Sequence, residues 1–529
     1  MKKIVASMIL CLMMVMLIFP VQAQNAEALV YEPMSTFDVC PYNALVVDSD
    51  GRLWGWGKNV HNALRTHAKE VLSPIIVFDS VKSASTGSSF VLAVRQDDTL
   101  WGWGWNFHGQ LGLGTNNEVE NVPIKIMDDV TAAYAGSALS FVLKKDGSLW
   151  AAGHNFYGEL GNGTRTYQEP YDAGNGVTRY RWVDNDSNIF IKVMDNIRSV
   201  HIDSGTIIAV DYDNCLWAWG RNCVEIGGVI NGVVDVYGLI ADDAEQFSVN
   251  TPQKLMEGVR SACATSDHLY ILTLDGKLIE WKSPKSQKTL LYNVKYVDAS
   301  EFTVAAITSD DSLICWGLPN TGQGNKDYCK VAENVAYAAV SSRFVGYIDR
   351  QGNLYTAGRN YEGQIGNGEK PPPLPPPIPD AGYPFIESDY IYPPVKVLSN
   401  AAYPELPSAS IQYDMRINGA TVYFDTPPMT KQGEVFVPLR AFLETYGMDV
   451  TWDNTERAAK AANEDMTIIL RNNSNIAYIN SSSVTLKNAA TIVNGRTMIG
   501  AEDLAAILKM TATVSNDGKA ITLDGGKDR

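Results

Sequence analysis

The chain has 529 residues, 45% hydrophobic and 19% charged, so it carries ample material for buried cores and is not a disordered polymer. Its 59 Asp and Glu against 43 Lys and Arg give a net charge of −16, which repels phosphate backbones and argues against nucleic acid as a partner. The 43 Gly, 12 Trp and 25 Tyr favour tight turns and half-buried strands over long helices.

At the N-terminus Lys2 and Lys3 precede an apolar run, Ile4 to Phe19, which Pro20 breaks before the small-x-small sequence Val21-Gln22-Ala23. This pattern predicts a secretory signal peptide over 1–23, and hence a secreted or cell-surface protein. No later stretch is long and apolar enough to predict a membrane span once the signal is removed. Loss of Lys2 and Lys3 makes the remaining chain more negative still. Cys11 falls in the signal, leaving Cys40, Cys215, Cys223, Cys263, Cys315 and Cys329, which suit either three disulfides or buried thiols. No CxxC pair occurs, so the cysteines suggest neither a zinc nor a redox site.

Next comes a repeat: an apolar strand, an Asp-Gly-like pair, then Leu-Trp-x-Trp-Gly-x-Asn. Its seven copies centre on Leu53, Leu100, Leu149, Leu216, Leu278, Leu313 and Leu354, about 50 residues apart on average. That is a propeller-blade period. The Asp-Gly, Asp-Asn and Asp-Asp pairs suit a two-residue hairpin turn, and alternation places Leu on one sheet face and the aromatics on the other. Gly-rich loops follow at Asn106, Asn155 and Asn360. A second apolar-basic strand, such as PIKIMDDV from Pro123, is counted as preceding each hairpin. The first hairpin then lacks one, and PPVKVLSNA from Pro393 is predicted to supply it: Val395 to Asn400 should complete the first blade and close the ring, removing sheet edges. Two long intervals hold polar insertions, Tyr167–Asn188 and Gly227–Gln246, where loops carry individual function. The proline run from Pro371 is read as a stiff insertion of the seventh blade.

The LWGWGWNFHGQLG stretch from Leu100 to Gly112 resembles the signature of the regulator-of-chromosome-condensation repeat family, and the resemblance extends over roughly 35–400. It implies a mainly β fold, a seven-bladed β-propeller closed by a C-terminal strand. Eukaryotic members of that family act as guanine-nucleotide exchange factors or chromatin binders, roles that an exported acidic chain does not suit. Residues 401–410 are read as a linker.

Residues 411–529 form a second, internally duplicated module. Ile417-Asn418 returns as Ile479-Asn480, Gly433 as Gly495, and Val437-Pro438-Leu439-Arg440 as Ile499-Gly500-Ala501-Glu502, all offset by 62. Each half reads as a strand pair followed by a helix. The segment from Ile417 to Thr455 is similar to the copper amine oxidase N-terminal domain family, a small α/β module of exported bacterial proteins. The resemblance implies a non-catalytic stalk. All six His lie before residue 269, so copper chemistry is not expected in this module.

The Gly109–Gly114 loop lacks the Lys-Ser/Thr of a phosphate cradle, and Asp48-Ser49-Asp50-Gly51 lacks an EF-hand's closing Glu, so both read as structural turns. Trp54, Trp101, Trp150 and Trp217 recur with the repeat and read as blade core. Trp105 and Trp182, with Tyr167, Tyr171 and Tyr180, are the candidate ligand contacts. His108 and His154 are only partly equivalent in their repeats, so no metal site is assigned, and no catalytic or cofactor-binding residue is read. The expectation is an exported, non-enzymatic scaffold whose rim loops bind a protein or cell-envelope ligand. Carbohydrate recognition is the alternative, followed by a hydrolase or lyase site on the propeller axis.

Overall fold

The computed structural model describes residues 35–87, 89–172, 178–221, 248–266, 268–283, 286–301, 303–317, 329–369, 390–406, 413–431, 433–493 and 495–525. The signal, the second insertion, the proline run and Cys223 lie outside the described residues.

Among the described residues the chain is mainly β, and 37–398 build seven four-stranded antiparallel sheets in succession. The first comprises Phe37–Val39, Asn43–Val47, Leu53–Lys58 and Glu70–Phe78 in that order. In each sheet the second and third strands are the predicted hairpin. Every hairpin places one residue at positive φ, at Gly51, Asp98, Gly147, Asn214, Gly276, Asp311 and Gly352. The two-residue turn is corrected here. Asp48 N donates to Arg52 O and Gly51 N to Asp48 O, at 3.0 and 2.9 Å. That is a three-residue loop with a single left-handed residue, which explains why Asp suffices at the first position of the pair.

The repeat phase is also corrected. The apolar-basic strand follows its hairpin as the fourth strand, and the first hairpin has one of its own, Glu70–Phe78. The segment predicted to complete the first blade, Val395 to Asn400, instead falls largely in a strand, Tyr390–Leu398, that pairs with Leu354–Arg359 in the last sheet. The chain reaches the first sheet immediately afterwards. Asp48 bridges Ala401, Ser49 N donates to Asn400 O, and Ala402 N donates to Val47 O at 2.9 Å. Beside this, Val47 N donates to Thr36 O, so segments from both ends of the repeat region flank one strand. Residues 401–406, read as the start of a linker, are held there, with Leu406 buried. One buried cluster runs through Ile307, Ile348, Leu45 and Val91, joining the sixth, seventh, first and second sheets.

In the repeat motif Leu53 and Trp56 are fully buried while Trp54 is half-buried, and the pattern repeats at Leu100, Trp103 and Trp101. The first Trp therefore lies at the core margin. Its indole N–H donates to the turn: Trp54 to Asp48 and Trp217 to Asp211, at 2.7 and 2.9 Å. Asp48 also accepts from Arg52 and Asp50, so the Asp-rich turn is satisfied internally. The five described cysteines are buried, and Cys315 lies opposite Cys329 on neighbouring strands.

Residues 414–525 carry the predicted duplication into structure. Helix α1, Leu439–Thr445, and helix α2, Ala501–Leu508, occupy equivalent places. Strand Glu434–Pro438 pairs antiparallel with Arg496–Gly500 so that Val437 faces Ile499, its own counterpart 62 residues on. The halves are thus related by a local twofold at that pair. Asp414–Ile417 pairs parallel with Ala520–Gly525, whereas the matching sheet of the other half gains an extra strand, Thr467–Arg471. The module has its own core, with Phe442, Leu443, Leu504 and Leu508 on the two helices. It nevertheless belongs to the same compact unit as the sheets, Pro33–Arg529. Tyr292 stacks on Phe424 at 5.3 Å, and Thr421 Oγ1 donates to Asp310 at 2.8 Å. No helix among the described residues is long and apolar enough to cross a membrane.

Candidate functional site

The third strands of the first, second, third and seventh sheets run into Gly-x-Asn, and the Asn clamps the loop that follows. The side-chain oxygens of Asn59, Asn106, Asn155 and Asn360 accept from the backbone N–H five residues on, at Leu64, Leu111, Leu160 and Ile365, over 2.8–3.1 Å. Those four apolar side chains are fully buried. The deep Trp of the neighbouring sheet then ties the loop down: Trp56 Nε1 donates to Gln364 O, Trp103 to Ala63 O and Trp219 to Glu159 O, each at 2.8 Å. A side chain at Gly109, where φ is +75°, would meet Asn188 at 2.3 Å, so that position admits only glycine. These bonds hold the loops in place, and Gly109 and Gly112 sit where a side chain would collide with the neighbouring strand.

One regularity governs how neighbouring loops touch. The residue two places after a clamp Asn meets the residue immediately before the clamp Asn of the next loop. Glu362 pairs with Lys58 at 3.1 Å, and His61 stacks on Trp105 at 5.8 Å. His108 meets His154 edge-on at 4.9 Å, and Arg221 lies over Tyr157 at 5.6 Å. The first of these pairs joins the seventh sheet's loop to the first sheet's.

Between the first and third loops the pairs merge into a row of rings. Trp105 stacks with Phe107 at 6.5 Å and touches His108 at 5.4 Å, while His154 stacks with Phe156 at 6.1 Å. Phe156 in turn packs on Trp182 at 5.5 Å. Phe107 is 58% exposed and Trp182 55%, so the row opens to solvent at its second and third loops. Trp182 belongs to the first insertion, which folds into a hairpin of Tyr167–Asp172 and Thr178–Val183. Facing pairs in that hairpin place Trp182 and Tyr180 on one side and Tyr167 and Tyr171 on the other. All four are exposed.

The hairpin returns to its sheet through Asp186, which lies against the histidines. His108 Nδ1 is 2.7 Å from Asp186 Oδ2, and Asn155 N donates to Asp186 Oδ1 at 2.8 Å. His154 Nδ1 lies 3.7 Å from the carboxylate of Glu159. Burial alone would lower the pKa of His154, but Glu159 and Asp186 outweigh it and raise it. Burial would raise Asp186, yet the contact with His108 and the charge of His154 hold it below the ordinary carboxylate range. Donor atoms of His108, His154 and Asp186 lie within 4.8 Å of one another, a proximity that their repeat positions did not show. His154 stands at the place that Trp105 holds in the preceding loop, and His108 two places after a clamp; only the pairing of adjacent loops brings them together.

A second polar cluster sits among the innermost strands. Ser85 Oγ and Thr86 N donate to Asp38 at 2.8 Å, Val340 N donates to Asp298 at 2.9 Å, and Glu301 N donates to Asp203 at 3.2 Å. His201 Nε2 lies 3.6 Å from Asp298. Burial pushes Asp38 up to about 6, despite the bonds from Thr86 and Ser85, and the charge of Asp298 adds to the rise. Each of these carboxylates accepts a backbone N–H from a different sheet.

Among the predicted contacts, Trp105, Trp182 and Tyr180 therefore share one row or its hairpin face, while Tyr167 and Tyr171 face away. Phe107, Phe156, His61 and Asp186 were not singled out from sequence. The signal available for the two Phe was their shared place after the clamp Asn.

Comparison with known families agrees with this architecture. Residues 81–110 and 97–143 match models of the regulator of chromosome condensation (RCC1) repeat, and residues 416–523 match the copper amine oxidase N-terminal domain. Prp20p from Saccharomyces cerevisiae, described with its binding to Gsp1p and histones, superposes with a TM-score of 0.50 at 18% identity, covering 68% of this chain and 87% of its own. Yeast RCC1 (Prp20) bound to Kap60 gives a TM-score of 0.47 at 17% identity, over 65% of this chain and 87% of that one. The search of curated proteins finds no match. The class is thus a β-propeller fold of RCC1 type. More particularly, this chain joins RCC1 repeats to a copper amine oxidase N-terminal-type domain.

Proposed function

We propose that the seven sheets are blades of a closed propeller and that this propeller is an exported, non-enzymatic binding scaffold. Its recognition surface is the row of rings from His61 to Trp182, together with the hairpin that carries Trp182. The observation that carries this reading is the pair of large apolar rings, Phe107 on a clamped loop and Trp182 on the hairpin that packs against Phe156 of the next clamped loop, both left more than half exposed. Isolated exposed rings are ordinary, but rings aligned on a preorganised platform suit a ligand surface. The signal-like N-terminus supports export to the cell surface or the medium. Seven sheets in succession, the bridge from Ala401 to Asp48 and the ion pair from Glu362 to Lys58 support a closed ring. The favoured ligand is a protein or another cell-envelope component.

The binding of the yeast relative to Gsp1p and histones is not carried over, because an exported acidic chain meets neither. We read the axial cluster of Asp38, His201, Asp203 and Asp298 as ties between blades, since its carboxylates already accept backbone N–H groups. The test is affinity capture from cell envelope and culture fluid with the wild-type chain and a Phe107→Ala/Trp182→Ala variant. A partner retained by the first and lost by the second is expected. Absence of any retained partner, alongside a turnover activity abolished by Asp298→Asn, would overturn the reading.

Carbohydrate recognition is the second reading, favoured by Tyr180 and Trp182 on one exposed hairpin face. Binding on a glycan array that survives Trp182→Ala would count against that face.

A further inference from the structure

We propose that His108, His154 and Asp186 bind one divalent transition-metal ion of the zinc class at the junction of the second and third loops. Their donor atoms come within 4.8 Å of one another from three separate places: the loop after Leu100–Trp105, the residue after Leu149–Gly153, and the end of the hairpin insertion. A tetrahedral zinc ion needs donors roughly 3.3–3.5 Å apart. Side-chain rotation on the order of 1 Å closes the widest gap. Two imidazoles and one carboxylate make a donor set for zinc, cobalt, nickel or copper. Calcium and magnesium, which want oxygen ligands, are disfavoured.

The surroundings resemble a built site rather than a chance meeting. All three side chains are half-buried, and their rings are walled by Trp105 and Phe107 on one side and Phe156 on the other. The backbone N–H of Asn155 orients Asp186, and the buried carboxylate of Glu159 lies 3.7 Å from His154 Nδ1, close enough to favour positive charge at the ring. The contact itself follows the general loop-pairing rule, but the other three pairs bring together Glu362 and Lys58, His61 and Trp105, and Tyr157 and Arg221. Among the described residues only the second junction brings two imidazoles and a carboxylate together, the carboxylate coming from the end of the insertion. Three protein ligands leave at least one coordination position open beside exposed Phe107 and Trp182, so the ion could also take a donor from whatever the rim binds. The metal site does not depend on that ligand.

The experiment is isothermal titration of the chelator-treated full chain with ZnCl2, and with CaCl2 as a control. One zinc equivalent and no calcium binding are expected. His154→Trp and His108→Tyr install the side chains of the neighbouring loops at those places (Trp105 and Tyr157), so they preserve ring packing while removing a ligand. Each should weaken zinc binding at least tenfold without lowering the melting temperature of the zinc-free chain. X-ray absorption of the zinc-loaded wild type should show two imidazoles and no thiolate. Failure to bind zinc, affinity unchanged in both variants, or thiolate scattering would each overturn the site.

Discussion

At the scale of single residues, the chain spends polar side chains on backbone. Asn106 and Asn155 close loops, Asp48 and Asp211 close hairpins, and Asp38 and Asp298 fasten one innermost strand to the next. A carboxylate in the last role is costly when charged, because burial in low dielectric penalises the ion. Asp38 shows this, its pKa standing near 6 against an ordinary 3.8. Between those values the folded chain holds a proton that the unfolded chain has released, so this group's contribution to stability falls as pH rises from about 4 to about 6 and is flat above. Asp38→Asn should therefore abolish a wild-type decline of up to about 3 kcal/mol across that window. Unfolding free energies of both proteins at several pH values check it; parallel profiles would refute the assignment. Among the candidate contacts, Trp105 was legible as standing outside the alternating pair, but its stacking on His61 belongs to an adjacent loop and no local pattern announces it.

At the scale of elements, a hairpin turn is closed by its own Asp and a loop by its own clamp Asn, and the Trp of the neighbouring sheet then ties the loop down. The hairpin from Tyr167 to Val183 forms a separate two-stranded sheet whose link to the rest is mainly Trp182 on Phe156 and the turn around Asp186. Replacing 168–182 with a short Gly-Ser turn should change the melting temperature by only a few degrees, since loop-closure entropy varies slowly with length. The same deletion should abolish partner capture. A loss of folding on deletion would show instead that the hairpin props the third sheet. The strand Tyr390–Leu398 was legible as a strand, yet its partner was not, because its pattern of apolar and basic residues fits the edge of any blade. The phase error has the same origin: the strand before a hairpin and the strand after it both read as apolar runs bounded by turns.

At the scale of the molecule, the C-terminal module is docked rather than tethered. Tyr292, on the turn before Val294–Ser300, packs against both Phe424 and Tyr413, and Asp310 on the next hairpin accepts from Thr421. Tyr292→Ala removes the aromatic centre of this contact. It should separate one calorimetric transition into two, with far-UV circular dichroism unchanged. A single unshifted transition would mean that docking rests elsewhere.

Read from the amino-acid sequence by itself, the repeat period, the seven hairpins, the glycine-bearing loops, both helices and the duplication at an offset of 62 were all determined. Each rests on short-range physics: alternation with a period of two, a residue that tolerates positive φ, a helix following a strand pair. Tertiary structure alone decided which strand completes which sheet, how Ala401 meets Asp48, and that His108, His154 and Asp186 converge. Those contacts join residues far apart in the chain or in successive repeats. They depend on how each sheet is laid beside the next, a lateral arrangement that no window of sequence contains.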